Sequence, residues 1–228
     1  KTADEVKALP LYDSTVAEQI TTLSGITGEK MEFGEYGCVE GAQTVAYNHF
    51  NKKLSTCVAF NVACPEEIAK TIAMQVASMN PMVATRDQID PAKVEEERSI
   101  AIEKTKAEQV QKAVDNALKK AGFNAYYCAT EEHIDEALRK GYMTEDDVKK
   151  AKEIMETTAE QKKANMPAQM IENIANGRIN KFFQENVLME QIVDADGVDK
   201  MTVADYLVKF GSKELKAIDM KRVNLNAD

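Results

Sequence analysis

The stretch Pro65 to Pro81, PEEIAKTIAMQVASMNP, constrains this chain more than any other. Ile68, Ile72, Val76 and Met79 recur there at three- and four-residue spacing, the pattern of a helix with one apolar face. Pro65 suits a first helical position, Glu66 and Glu67 complement the positive end of the helix dipole, and Asn80-Pro81 supplies a stop. Ala69, Ala73 and Ala77 run beside the stripe. They are small enough for a second backbone to approach, so the helix is expected between two layers.

The sequence before this helix changes its period from 3.6 to two. Met31 and Phe33 alternate with polar residues, as do Val45 and Tyr47, then Val58, Phe60 and Val62. Gly34, Gly37 and Gly41 lie around the first junction, and the polar turn NHFNKK, Asn48 to Lys53, around the second. Three antiparallel strands in a meander are therefore expected. Ile218 to Leu225 reads as a last strand joining them, with a bulge where the alternation slips at Lys221-Arg222. Upstream, Asp4 to Leu9 and Thr15 to Leu23 read as helices, the second opened by Thr15 and Glu18 at capping-box spacing. The segment SGITGEK, Ser24 to Lys30, has glycines three apart and no Lys-Ser or Lys-Thr pair, which excludes a P-loop.

Downstream of Pro81 the chain becomes charged and rich in alanine. From Pro91 to Gly122, Ile100, Ala107, Val114 and Ala121 recur every seven residues, with Val110 and Ala117 between them, as a short coiled-coil seam that Glu103 interrupts. Gly122 reads as a C-cap, Thr130 to Lys140 as a small helix closed by Gly141, and Thr144 as the cap of a return helix. Val148, Ala151, Met155 and Thr158 are expected on the facing side of that return helix. Pro167 opens a further helix carrying Met170, Ile171, Ile174, Ile179, Phe182 and Phe183, in which Gly177 implies close packing against a neighbour. Thr202 and Asp205 cap a short helix that Gly211 ends. The fold class expected is α+β: an antiparallel sheet, the Pro65 and Pro167 helices packed on one face of it, and an inserted helical hairpin.

Composition narrows the function. With 38 acidic against 29 basic residues the net charge is -9, which argues against a nucleic-acid surface. No apolar run approaches the roughly 20 residues of a membrane span, and a cytosolic protein is expected. Cys38, Cys57, Cys64 and Cys128 contain no CxxC pair, and His49 and His133 are the only imidazoles, so reduced, mostly buried thiols are expected and no metal site. Neither a catalytic constellation nor a cofactor motif stands out, so the chain reads as an interaction protein and not an enzyme. It opens at Lys1 in helix-forming sequence, and a fragment is expected.

Four runs carry a resemblance. IAMQVASMNP (Ile72 to Pro81), GRINKFFQENVLMEQ (Gly177 to Gln191), the turn at Gly28-Glu29 and the strand end YNH (Tyr47 to His49) resemble bacterial elongation factor Ts over essentially the whole chain. The resemblance implies a guanine nucleotide exchange factor that binds the GTPase elongation factor Tu and speeds GDP release. It implies domains as follows: residues 1–28 as the remnant of a first core subdomain, 29–89 and 166–228 as the second, and 90–165 as the inserted hairpin, with 123–143 as extra material at its tip. His49, with Tyr47 and Asn48 beside it, matches the family's contact to the third domain of elongation factor Tu. The family's Thr-Asp-Phe-Val motif, whose Asp-Phe pair enters the partner near its magnesium site, has no match in these residues, so a docking core is expected. The hairpin also serves dimerisation in some members, leaving an oligomerisation or scaffolding module, or a homodimer, as the alternative.

Overall fold

The computed structural model describes residues 2–195 and 197–225. Among these the chain runs through α1 (Ala3–Lys7), β1 (Pro10–Leu11), β2 (Ser14–Thr15), α2 (Val16–Thr27), β3 (Gln43–Asn48), β4 (Leu54–Phe60), α3 (Glu66–Met79), α4 (Pro91–Lys120), α5 (Glu131–Arg139), α6 (Glu145–Ala164), α7 (Ala168–Asn186), α8 (Val203–Phe210) and β5 (Ala217–Asn224). The α+β class expected from the change of period is the one observed. The chain divides into two compact units, Lys1–Ile89 with Phe182–Asp228, and Asp90–Lys181.

In the first unit α3 is the organising helix. Ile68, Ala69, Ile72, Ala73, Val76 and Ala77 are all buried, so the apolar stripe and the alanine row are both covered, one layer being the sheet and another α8. Burying Ile72 and Val76 fully is worth about 1.5–3 kcal/mol each. The α3 helix is tied to the sheet where the Thr56 hydroxyl donates to the Ala73 carbonyl at 2.8 Å. Met79 instead stays 47% exposed, because the helix ends one residue later with Asn80 in the left-handed region at φ 47°.

The sheet has three antiparallel strands in the order β3-β4-β5. Only two of the three expected meander strands form, and β5 takes the third place. Residues 29–40 are irregular: Met31 and Phe33 alternate but form no ladder with β3, which among the described residues pairs only with β4. This segment instead passes close to the sheet. A Cβ on Gly37 would sit 3.0 Å from the Lys221 side chain, and one on Gly41 only 2.6 Å from the Phe60 carbonyl oxygen, so glycine is required at position 41. The bulge also moves. Lys221 and Arg222 pair regularly with Cys57 and Thr56, and the register slips at Ile218, between the pairs Ala59–Asp219 and Phe60–Ala217.

A buried polar knot closes the first unit. The Gln75 amide donates to Gln191 Oε1 at 3.2 Å and to the Ile192 carbonyl at 3.0 Å, while its oxygen accepts from the Asp194 N–H at 2.8 Å. Gln191 donates in turn to the Glu185 carbonyl at 2.8 Å. Nearby, Met82 N–H donates to the Asn186 carbonyl at 2.8 Å and Val83 bridges Val187, with Arg86 paired to Glu190 and stacked 4.2 Å from the Phe183 centroid.

The second unit is helical. Val114 and Leu118 of α4 pack with Cys128, Ala137, Met143 and Ala151. The expected heptad register is displaced: Ile100 is 52% exposed and Ala107 and Ala121 face solvent, whereas Ala101, Thr105, Val114 and Leu118 are buried. Only Val114 belongs to both sets. The α7 helix also departs from expectation, since its buried residues Ile171, Ala175 and Ile179 all lie in the second unit and α8, not α7, is the further helix packed on α3. Gly177 has nothing within 4 Å of where a Cβ would stand, so no neighbour explains it. The caps are as expected: Thr130 accepts from His133 N–H, Thr144 and Asp147 form a reciprocal capping box, and Gly122 and Gly141 take positive φ at the helix ends. Across the helices Arg98 donates to Asn176 and Glu172 at 2.8 and 2.7 Å, and Arg178 pairs with Glu108.

All four cysteines are free, with Cys38 exposed, Cys57 half-buried, and Cys64 and Cys128 buried. Burial raises the thiol pKa of the last three above the ordinary value. No described helix is long and apolar enough to cross a membrane.

Candidate partner-binding site

The β3–β4 hairpin turn carries the residues singled out for docking. Strand β3 alternates half-buried Val45 and Tyr47 with exposed Ala46 and Asn48, so Tyr47 points toward α3 and Asn48 away from it. His49 closes the strand: its N–H donates to the Leu54 carbonyl at 2.9 Å and its carbonyl accepts from Lys52 N–H at 2.9 Å. The turn needs Lys52 at φ 57°, and the Asn51 side chain steadies it by accepting from Lys53 N–H at 2.9 Å. Asn48 accepts from the Ser55 hydroxyl across the pair at 2.7 Å.

Tyr47 and His49 form one unit. The phenol oxygen and His49 Nδ1 lie 2.8 Å apart; with the phenol donating, the neutral ring carries its proton on Nε2 and keeps that nitrogen as a donor. Phe50 stacks at a tilt on the imidazole, its centroid 4.3 Å away, and is itself 87% exposed. Beside these rings lies an open depression of about 370 Å³ lined by Tyr47, His49, Leu54, Met74, Ala77, Ser78 and Asp194. The arrangement offers an aromatic and thioether surface with a carboxylate and a hydroxyl at its margin. Such a surface suits a partner's side chains better than chemistry on a small substrate.

Tyr47 and His49 are thus brought together, whereas Asn48 sits on the other face of its strand and touches Ser55. Sequence reasoning passed over Phe50 by reading NHFNKK as a polar turn, although an aromatic among five polar residues was the available signal. It also passed over Met74, a helix position outside the α3 stripe and 51% exposed. Asp194 had no signal, since it reaches the depression only through the Gln75 knot. Among the described residues no group of His, Cys, Asp and Glu could hold a metal ion.

Comparison with known proteins agrees along the chain. The family model "Elongation factor TS" matches residues 1–127 and 133–227. Elongation factor Ts of Bacteroides fragilis is 49% identical over 231 residues, covering all of this chain and 68% of that protein. Elongation factor Ts of Bacteroides thetaiotaomicron is 48% identical with the same coverage, and that of Porphyromonas gingivalis 32% identical over 99% of this chain and 61% of its own. Matched by the family model on both sides of residues 128–132, and by relatives from end to end, the chain belongs to the elongation factor Ts family of translation elongation factors.

Proposed function

We propose that the chain is the docking core of a guanine nucleotide exchange factor, acting in the cytosol on elongation factor Tu to promote GDP release. It works by binding and not by a covalent step. Family membership names the partner class, and the observation that carries the docking site is the exposed Tyr47–His49–Phe50 ring cluster beside the Met74 depression. In this reading His49 Nε2–H donates to the partner, Phe50 and Met74 supply apolar contact, and Asn48 braces the strand. In this reading residues 1–28 belong to a first core subdomain, 29–89 and 182–228 to a second, and 90–165 to the hairpin, with 166–181, expected in the second subdomain, grouped with the hairpin helices instead.

Exchange requires tighter binding to the nucleotide-free partner than to the nucleotide-bound one, because equal affinity shifts no equilibrium. The Asp-Phe pair to which the family resemblance assigns that preference is not among the 228 residues. The test is calorimetric binding to elongation factor Tu, with stopped-flow release of a fluorescent GDP analogue. This chain binds, His49→Ala weakens binding by about 0.5–1.5 kcal/mol, and acceleration is large only for a longer version carrying the Thr-Asp-Phe-Val segment. Equal affinity of wild type and His49→Ala counts against the site. Equal acceleration by both lengths places the exchange determinants within these residues.

A further inference from the structure

In the second unit, the segment joining α4 to α6 carries an aromatic surface to which the proposed function assigns no role. Four rings run in contact there: His133 stacks on Tyr126 at 4.2 Å between centroids, Tyr126 meets Tyr127 edge-on at 5.6 Å, and Tyr127 stacks on Tyr142 at 5.3 Å. Tyr126 and Tyr142 are 56% and 59% exposed, an unusual amount for aromatic rings already engaged with one another. The sequence holds them in place with short structural signals. Asn124 caps the Ala125–Cys128 turn by accepting from Tyr126 N–H, and Thr130 caps α5. Ile134 and Ala137 then bury the inner side of α5.

The outer side of α5 is acidic. Glu132, His133, Asp135, Glu136 and Arg139 line one open depression of about 740 Å³ next to the Tyr126 ring. Two carboxylates of this helix are neutralised locally, Glu131 by Lys152 at 2.8 Å and Glu136 by Lys140. Glu132 and Asp135 have no ion-pair partner among the described residues. Arg139 marks the C-terminal limit of the acidic face. Unpaired carboxylates beside exposed phenol rings attract a guanidinium twice, by charge and by the negative face of the ring, whereas a phosphate backbone is repelled. The family match is interrupted at residues 128–132, inside this tip.

We propose that the Tyr126–His133 stack, with Glu132 and Asp135 of α5, is a docking surface for a basic, arginine-bearing polypeptide segment. An arginine lies on the face of the Tyr126 ring that His133 leaves open, in the negative field of Glu132 and Asp135. The charge complementarity selects this occupant over a nucleic acid and over a second copy of this acidic chain.

The probe is a fluorescein-labelled peptide of alternating arginine and glycine, followed by anisotropy against the full chain at low salt. The chain binds it; Tyr126→Ala weakens binding about two- to fivefold, as loss of one exposed cation–π contact should. Glu132→Gln with Asp135→Asn weakens it about two- to tenfold. Tyr126→Phe keeps the ring and keeps the affinity, which separates the contact from any loosening of the tip. Glu95→Gln with Glu96→Gln removes the same charge from α4 and leaves binding unchanged. The proposal is overturned if the α4 pair weakens binding as much as the α5 pair, if Tyr126→Ala has no effect, if the peptide does not bind, or if a single-stranded oligonucleotide binds more tightly than the peptide.

Discussion

The two units reach stability by different routes. The first concentrates burial: Val58, Phe60, Ile72, Val76, Leu188, Val203 and Leu207 are all sealed from solvent, gathered from four separate stretches of sequence. The second buries smaller groups spread along its helices, a cluster of Val114, Leu118, Cys128, Ala137, Met143 and Ala151 with Ala101, Thr105, Ile134, Ile171, Ala175 and Ile179 outside it, and adds caps, left-handed glycines and ion pairs between helices. Non-local packing makes a unit whose parts fail together. Local signals make one whose helices are each specified nearby and whose loss of a single contact stays local.

The sharpest division is expected from a core truncation. Ile72→Ala removes a side chain with no exposed surface from between the sheet and α8, and should cost about 2–5 kcal/mol in urea unfolding. Next comes Gln75→Ala, which leaves the Ile192 carbonyl, the Asp194 N–H and the buried Gln191 amide without their partner and should cost about 1–3 kcal/mol. Gln75→Leu should not rescue it, because the orphaned groups remain. Native-state hydrogen exchange locates both effects: protection should fall across β3, β4, α3 and β5 together. A loss confined to α3 would contradict the view of the first unit as one cooperative body.

In the second unit the counterpart is a cap. Thr144→Ala should cost about 0.5–2 kcal/mol, and the exchange rates should rise in α6 while those of α3 and β4 hold. Equal acceleration in α3 would show that the two units unfold as one.

The same contrast explains what was readable in the chain. Cap signals act within four residues, so Thr15–Glu18, Thr130, Thr144, Gly122, Gly141 and Thr202–Asp205 were all legible. Alternation is equally local, but a strand also needs a partner. Met31 and Phe33 alternate yet join no ladder even though β3 keeps an open edge, and the third place in the sheet goes to β5, which arrives from the other end of the chain and pairs with β4. The heptad in α4 failed for a related reason. Several apolar sets share a 30-residue helix, and which one is buried is decided by the residues it faces, here Ala137, Met143 and Ala151. Gln75 looked like any exposed helix polar residue, since its partners lie 116 to 119 positions away. At the proposed docking site, Tyr47 and His49 were singled out through family likeness, and their neighbours Phe50, Met74 and Asp194 only through the fold.

The smallest effect tests the local logic most directly. Asp147 accepts from the Thr144 hydroxyl at 2.7 Å and from the Thr144 N–H at 2.9 Å, and these hydrogen bonds hold its carboxyl below the ordinary Asp value. A carboxyl depressed in the folded state contributes stability that is complete above its unfolded pKa and is lost as pH falls through the folded one. The cap should therefore persist through the mildly acidic range and weaken only below the pH at which a free aspartate protonates. The Thr144 amide resonance reports it, moving with Asp147 titration, while core amides near Thr56 and Ala73 stay still over the same range. Asp147→Asn keeps a side-chain acceptor but not the charge, so it should remove the titration and leave α6 starting at the same residue. A Thr144 amide that titrates at or above the ordinary aspartate value would mean that the capping box contributes no preference for the ionised carboxyl, and that α6 begins where it does for reasons of packing against α4.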